Sequence, residues 1–238
     1  MPRKKTNGKA TTKKVSKKAA PETEDEFLKR QREQGQSKSR GNWWRPLGGP
    51  NGTSGRNVVR IVPFVSEATG KKEVFVMERS LWVTEMGSRG QSIRLEDNWE
   101  EDPVLSIWDD LDDDVKKKHR LRKGYLMNVI VRKDPTGENG GTLAIARIGQ
   151  GVFDELQEIL FTPESAKYKK NALDLKKGRD VQIIRSGQGL KTKYATDGVN
   201  KPSAVTLPSD PIDLTAYIQP ADLETREKLA DLLTAKGD

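Results

Sequence analysis

The chain contains no cysteine and a single histidine, His119. Disulfides, thiolate metal sites and thiol nucleophiles are thereby excluded. One imidazole cannot build a histidine zinc site or supply more than one member of a catalytic triad. Apolar side chains are also scarce: 33% of the 238 residues are hydrophobic and 6% aromatic, against 33% charged. Such a chain builds one modest core with sizeable solvated segments more readily than two full cores. No apolar run approaches the ~20 residues of a membrane-spanning helix, and none follows the basic start. The expectation is a protein that is neither membrane-spanning nor exported by a cleavable signal, working in a reducing cytoplasm.

What is abundant is charge, and it is sorted. Residues 1–20 hold eight Lys/Arg and no acid, which accounts for the whole net charge of +8 and leaves 35 bases and 35 acids in the remainder. Glu96 to Asp114 then carries ten acids and no Lys or Arg, Val115 to Ser209 carries nineteen bases against nine acids, and Asp210 to Asp238 seven acids against three bases. A basic block presents a local field that the whole-chain balance hides.

Along the chain, 1–40 reads as a flexible basic arm, with one or two helical turns expected in Glu22 to Gln34. Gly41 to Asn57 is a glycine- and proline-broken loop displaying Trp43 and Trp44. Strand signals follow in NVVRIVPF, KEVFVMERSLWV, GYLMNVIVRK, GTLAIARI, DVQIIRS and LKTKYAT, each bounded by turn formers. Asp102 to Lys118 reads as helix, with Val104, Ile107, Trp108 and Leu111 at helical spacing, and Val152 to Leu160 as a second. Pro202 to Pro211 reads as a linker, and Leu214 to Leu233 as an amphipathic helical tail. The fold class expected is mainly β: a five-stranded OB-fold-like barrel over 41–209, a helical insert at 96–118, and a mildly acidic helical tail at 210–238.

The stretch RLRKGYLMNVIVRKDPTGENGGTLAIARIGQGVFDELQEIL, Arg120 to Leu160, sets Arg132, Lys133 and Arg147 among strand residues beside Tyr125. Cations next to an aromatic on an open sheet suit a polyanion that carries flat bases. Arg185, Lys191 and Lys193 extend the set on the last hairpin; Arg60, Arg120, Arg122 and Lys123 are counted with them, as is Arg45 beside the two tryptophans. A solvated sheet face carries the same residue types without a ligand. Tyr125 and Tyr194 are base-stacking candidates, Tyr194 more so because its strand neighbours are polar. One of Trp43 and Trp44 closes the barrel's end and the other faces ligand; Trp82, Trp99 and Trp108 read as packing. The acid block fails as an EF-hand, since Val115 stands at the glycine position and Leu121 at the terminal glutamate position. A nuclease carboxylate cluster, a repulsive wall beside a basic groove and a plain solvated helix stay open for it.

The segment from Tyr125 to Leu156 resembles the core of the T-even phage single-stranded DNA-binding (helix-destabilising) proteins. The resemblance lies in Tyr125, Asn128, Lys133-Asp134-Pro135, Glu138-Asn139, Gly149-Gln150-Gly151 and Phe153-Asp154-Glu155-Leu156. Trp44-Arg45 before Gly55 and VVRIVPF agree in order, as does a last hairpin with Tyr194. The whole covers roughly residues 42–200 and is thin outside 125–156. Many members carry a zinc-binding Cys-Pro-x-Cys knuckle, replaced here by Asp102-Pro103-Val104-Leu105. The resemblance implies a non-enzymatic protein without metal or other cofactor that coats single-stranded DNA in phage-type replication, recombination and repair. Its place would be the bacterial host's cytoplasm. Arg3, Lys4, Lys5 and Thr6 are similar to the family's motif for self-association along DNA. The C-terminal tail is then a contact for polymerase, helicase or recombinase, or a competitor for the groove. The competing class is an architectural duplex DNA- or RNA-binding protein acting through the lysine-rich arm. Arm deletion separates them: a chain of residues 21–238 is expected to keep most single-strand affinity in a fluorescence titration and lose mainly cooperativity, whereas loss of all binding refutes the groove.

Overall fold

Alternating β-branched and long aliphatic side chains favour extended backbone because each then stands clear of its neighbours on a pleated surface. In Arg120–Lys133 that pattern runs unbroken for 14 residues and forms the longest strand, β7. The computed structural model describes residues 43–84, 91–161 and 172–235. The basic arm, with Arg3, Lys4, Lys5 and Thr6, and the helical turns expected in Glu22 to Gln34 lie outside the described residues. Before β7 come β1 (Trp43–Trp44), β2 (Gly55–Val62), β3 (Phe64–Val65), β4 (Lys72–Glu73), β5 (Val76–Val83), β6 (Gln91–Leu95), and two short helices, α1 (Pro103–Trp108) and α2 (Asp113–Lys118). After it come β8 (Leu143–Ile148), α3 (Gln150–Phe161), β9 (Arg179–Ser186), β10 (Lys193–Pro202) and α4 (Leu223–Thr234).

The protein is mainly β. Its large mixed sheet runs β1-β8-β7-β2-β9-β10, with β5 and β6 attached beside β7. Only β1 and β8 pair in parallel; every other described pairing is antiparallel. Along one edge of β7, Arg120 to Leu126 pairs with β5 and Asn128 to Lys133 with β2. The overlapping stretch Tyr125 to Ile130 pairs with β8, so β8 takes the opposite edge.

Each face of β7 has its own cover. On one face Tyr125, Met127, Val129 and Val131 join Val59, Ile61, Val181 and Ile183 against Val152, Leu156 and Leu160 of α3. α3 is also tied to β10: the Glu155 carboxylate accepts from the Thr196 backbone N–H (2.7 Å) and hydroxyl (2.6 Å). On the opposite face Leu126 and Ile130 meet Leu214 and Val205, residues of the chain beyond β10. Asn128 is buried there, and its amide donates to the Ile212 carbonyl at 2.7 Å, so its polar group has a partner where water is excluded. A further core lies between the β5–β6 hairpin (Leu81, Val83, Ile93, Leu95) and Val104, Leu105, Val115, Leu229 and Leu233 of the three helices around it.

Several segments depart from the sequence reading. The single helix expected over Asp102 to Lys118 is two, because acids crowd the connection at 109–112, where Leu111 alone packs on the core, and the next buried apolar residue is Val115. The stretch read as a linker is packed: Val205 is buried, and its N–H donates to the Leu175 carbonyl (2.7 Å). The helix expected from Leu214 begins as a 3-10 turn, Leu214–Tyr217, and resumes at Leu223 beyond Pro220. Proline cannot donate the hydrogen bond that a continuous helix requires there. Strand β6 was not expected, although its short run alternates, with Ile93 and Leu95 buried and Ser92 and Arg94 on the other face.

α4 is held by charge as well as by leucine. Asp102 is fully buried and caps α1, accepting from Val104 N (2.9 Å) and Leu105 N (3.1 Å). Its second oxygen accepts from Arg226 Nη1 at 3.0 Å, and Arg226 Nη2 reaches Glu96 at 3.2 Å. A buried ion pair is poor evidence of net stabilisation, yet stripping one partner strands the other charge. Arg226→Ala is therefore expected to lower unfolding free energy by about 3–5 kcal/mol. Urea titration read by tryptophan fluorescence tests it, and a change below ~1 kcal/mol contradicts the latch.

Candidate nucleic-acid interface

Directly opposed residues of an antiparallel pair share a face. The β5–β7 register sets Trp82 opposite Arg120, Ser80 opposite Arg122 and Glu78 opposite Gly124. The β5–β6 register adds Arg94 opposite Ser80, and the β7–β8 register adds Arg147 opposite Leu126. One sheet face thus gathers Arg94, Arg120, Arg122 and Arg147 around a single carboxylate, Glu78.

Glu78 is 5% exposed and bracketed: Arg94 Nε lies 3.3 Å from Oε2, and Arg147 Nε pairs with Oε1. Arg147 Nη2 also donates to Ser80 Oγ at 3.3 Å, and Arg94 Nη1 to the Tyr217 carbonyl. Arg122 lies over the Trp82 ring, 4.6 Å from its centroid, a geometry that fixes the guanidinium without neutralising it. Burial first, and then the like charges of Arg120 and Arg147, push Arg122 below the ordinary arginine range. Arginine stays charged even so. Crowded cations with one shared carboxylate are stabilised by a multivalent anion.

Gly124 makes this packing possible. A Cβ there would stand 2.8 Å from Arg147 Nε and 3.1 Å from Glu78 Oε1, so only a bare backbone lets the ion pair cross β7.

Arg45 and Trp43 extend the face along the chain's edge. β1 pairs Trp43 with Ile145 and Trp44 with Ala146, so Trp43 shares the face of Arg147, two residues beyond Ile145, and the exposed Arg45 follows at the end of β1. Trp43 is 42% exposed and makes an edge contact with Tyr217 (centroids 6.0 Å apart), while Trp44 lies in the core. The next residue, Pro46, accepts from Arg185 Nη1 at 3.5 Å, and Arg185 stands opposite Tyr194, which is 43% exposed. Arg185 and Tyr194 are in phase with Ile183 and Val181 of the core under α3, so they lie on the opposite face of the sheet from Arg122, and Lys191 and Lys193 are exposed at the tip and start of that last hairpin.

Other sequence-predicted residues fall elsewhere. Arg60 is wholly buried: its guanidinium pairs with Asp180 (2.9 Å) and donates to the carbonyls of Asp174 and Ser203. It is a structural cation, out of a ligand's reach. Trp44 is 7% exposed and offers no ring face. Tyr125 is 8% exposed, stacked on Phe153 with centroids 3.6 Å apart, and its hydroxyl donates to Gln150 Oε1 at 2.7 Å. That ring is spent on packing at the wall of an open apolar groove of about 430 Å³ with Phe75, Met77 and Phe161. Arg132 is drawn to Asp180 (3.6 Å) at the far end of β7, and Lys133 is exposed beyond it. Lys123 is exposed on the face opposite Arg122. Trp99, read as packing, is 38% exposed with Arg79 over its ring at 5.1 Å.

The sequence reading did not place Trp82, Arg94, Glu78 or Gly124 on this candidate face. Their signal was the alternation Glu78, Ser80, Trp82, which puts the tryptophan on a polar face.

Residues 53–235 match the family described as gp32 DNA binding protein like. The chain belongs to the gp32-like DNA-binding family. The likeness read from Tyr125 to Leu156 is thereby borne out, and the match continues past residue 200 through the segment that covers β7 and on into α4. No individual curated protein matches the chain. The zinc that many gp32-like proteins hold does not fit the residues here. At the knuckle position Asp102 is already engaged by Arg226 and three backbone N–H groups, and no cluster of metal-ligating side chains occurs among the described residues.

Gly124→Ala tests the arrangement. The added methyl displaces the flexible ends of Arg147 and Glu78, so thermal stability should change little while DNA affinity falls about fivefold, the worth of one charge-assisted contact of ~1 kcal/mol. Unchanged affinity by fluorescence anisotropy refutes a role for Arg147.

Proposed function

We propose that this gp32-like protein binds single-stranded DNA without regard to sequence, and coats and protects it during phage-type replication, recombination and repair. The observation that carries this reading is the arginine cluster beside aromatic rings: Arg120, Arg122 and Arg147, with the half-buried Trp82 under Arg122 and the exposed Trp43 at the adjoining edge. Phosphates exchange with condensed counterions at the guanidiniums, and unstacked bases meet aromatic faces that a duplex keeps hidden. Binding single strands and not duplex removes them from the pairing equilibrium, so melting follows by mass action. None of this calls for a reaction, a metal or a cofactor.

The sheet order supports an OB-fold-like reading. Without β1, β5 and β6, the strands β8-β7-β2-β9-β10 run in the cyclic order of a five-stranded OB barrel opened between its third and fifth strands. In that reading β7 and β8 are the second and third barrel strands, whose surface takes oligonucleotides in OB-folds, and the β9–β10 connection is a loop that flanks it. α3, hooked to β10 through Glu155, fills the opening. The domain limits keep to 41–209 for the binding core, with 96–118 as the insert that replaces the zinc subdomain. Self-association through Arg3, Lys4, Lys5 and Thr6, and contacts with polymerase, helicase or recombinase, belong to the same reading. No helix among the described residues is long and apolar enough to cross a membrane. A DNA ligand fits a host cytoplasm.

Titration of single-stranded against duplex DNA, read by tryptophan fluorescence, tests the class: quenching by the single strand alone is expected. With about five phosphates neutralised, log K should fall with log salt at a slope of roughly −3 to −4, at ~0.7 per contact. Arg122→Ala and Arg147→Ala should each flatten the slope by ~0.7, while Arg60→Ala should lower stability without flattening it. A wild-type slope near zero, or equal quenching by duplex, refutes the proposal.

A further inference from the structure

The tip of the β9–β10 hairpin carries an apolar side chain that no core uses. Leu190 is 100% exposed, the highest value among the exposed large hydrophobic residues described. A lone surface leucine is ordinary. This one is set apart by how it is held and by what stands next to it.

The turn beneath Leu190 is built. Lys191 N donates to the Gln188 carbonyl at 3.0 Å, and the N–H and hydroxyl of Thr192 both donate to the Gly189 carbonyl, at 3.3 and 2.8 Å. Gly187 turns the chain at φ 76°, where a Cβ would lie 2.3 Å from the Lys191 carbonyl oxygen. The tip is also braced from the side, because the Gln188 side chain lies where a Cβ on Gly52 would meet its Nε2 at 2.9 Å. Leu190 is therefore displayed on a backbone with little freedom left to lose on binding, which lowers the cost of an intermolecular contact. Its neighbours are those of a nucleic-acid surface. Lys191 and Lys193 are exposed beside it, and Tyr194 stands 43% exposed opposite Arg185.

We propose that Leu190 is a wedge that inserts between adjacent bases of the bound strand, while Lys191 and Lys193 hold the flanking phosphates. The inference rests on the single-strand reading above and deepens it. An apolar side chain gains from leaving water against any base face, so the contact is indifferent to sequence. Separating two stacked bases costs a few kcal/mol within a duplex step and less in a strand already unpaired. The wedge thus favours single strands for the same reason that the rings do.

The test uses the full chain, wild type and Leu190→Ala, on three probes: a mixed-sequence single strand, its duplex, and an abasic deoxyribose-phosphate chain of equal length. A fully exposed position keeps the fold intact on substitution. Leu190→Ala is expected to weaken binding to the base-bearing strand about tenfold with an unchanged salt slope, since an apolar contact releases no counterions. On the abasic chain the two proteins should bind alike. A fluorescent adenine analogue in the strand should brighten on binding wild type, as unstacked bases do, and brighten less with Leu190→Ala. Leu190→Phe should retain the binding and the brightening. Undiminished affinity of Leu190→Ala, an equal loss on the abasic chain, or a flattened slope overturns the wedge; the first assigns the tip to a protein partner and the others to the backbone. Failure of wild type to prefer the single strand over duplex is a different result, and it removes the single-strand reading itself.

Discussion

The structure depends on one strand being shared. β7 is 14 residues long and lies under two covers at once, α3 on one face and the chain beyond β10 on the other, with β2 and β5 along one edge and β8 along the other. A run of five to six residues serves an ordinary strand. The extra length lets the first half of β7 leave the main core and carry the β5–β6 hairpin with its helices. Arg120 and Arg122 stand on that first half, and Gly124 marks the place where the strand passes from one environment to the other.

Electrostatics follow from this geometry. A charge inside the core needs a partner, and Arg60 has Asp180 and Arg226 has Asp102. At the exposed half of β7 the balance is different: one buried glutamate is shared between Arg94 and Arg147, and Arg120 and Arg122 add charge without adding a carboxylate. The fold thus spends acids where cations are buried and leaves cations in excess where the sheet meets solvent. Salt dependence of binding is the expected signature of such an excess.

Much of this was legible in the residues. Strand periodicity announced β2, β5, β7, β8, β9 and β10, and the hydrogen-bonding turn at Asp134 is written in DPTGEN. There the carboxylate accepts from Thr136 N, Thr136 Oγ1, Gly137 N and Asn139 Nδ2. Burial pushes that carboxyl up, and the four hydrogen bonds together hold it below the usual carboxylate range. What escaped was anything set by distant partners. Trp43 and Trp44 are adjacent and alike, yet the β1–β8 register sends one outward and the other into the core. Arg60 and Arg122 are both strand arginines that follow an aliphatic residue, and only the packing around Asp180 buries the first.

The sequence by itself determined the sorting of charge, the alternation of the strands and the absence of thiolate metal chemistry, because each is a property of residue type and local spacing. Tertiary structure alone decided which cations face solvent, which rings are free and what covers the second face of β7. Those outcomes turn on contacts such as Asn128 with Ile212 and Arg60 with Asp180. Their partners stand 84 and 120 residues along the chain, where no local pattern reaches.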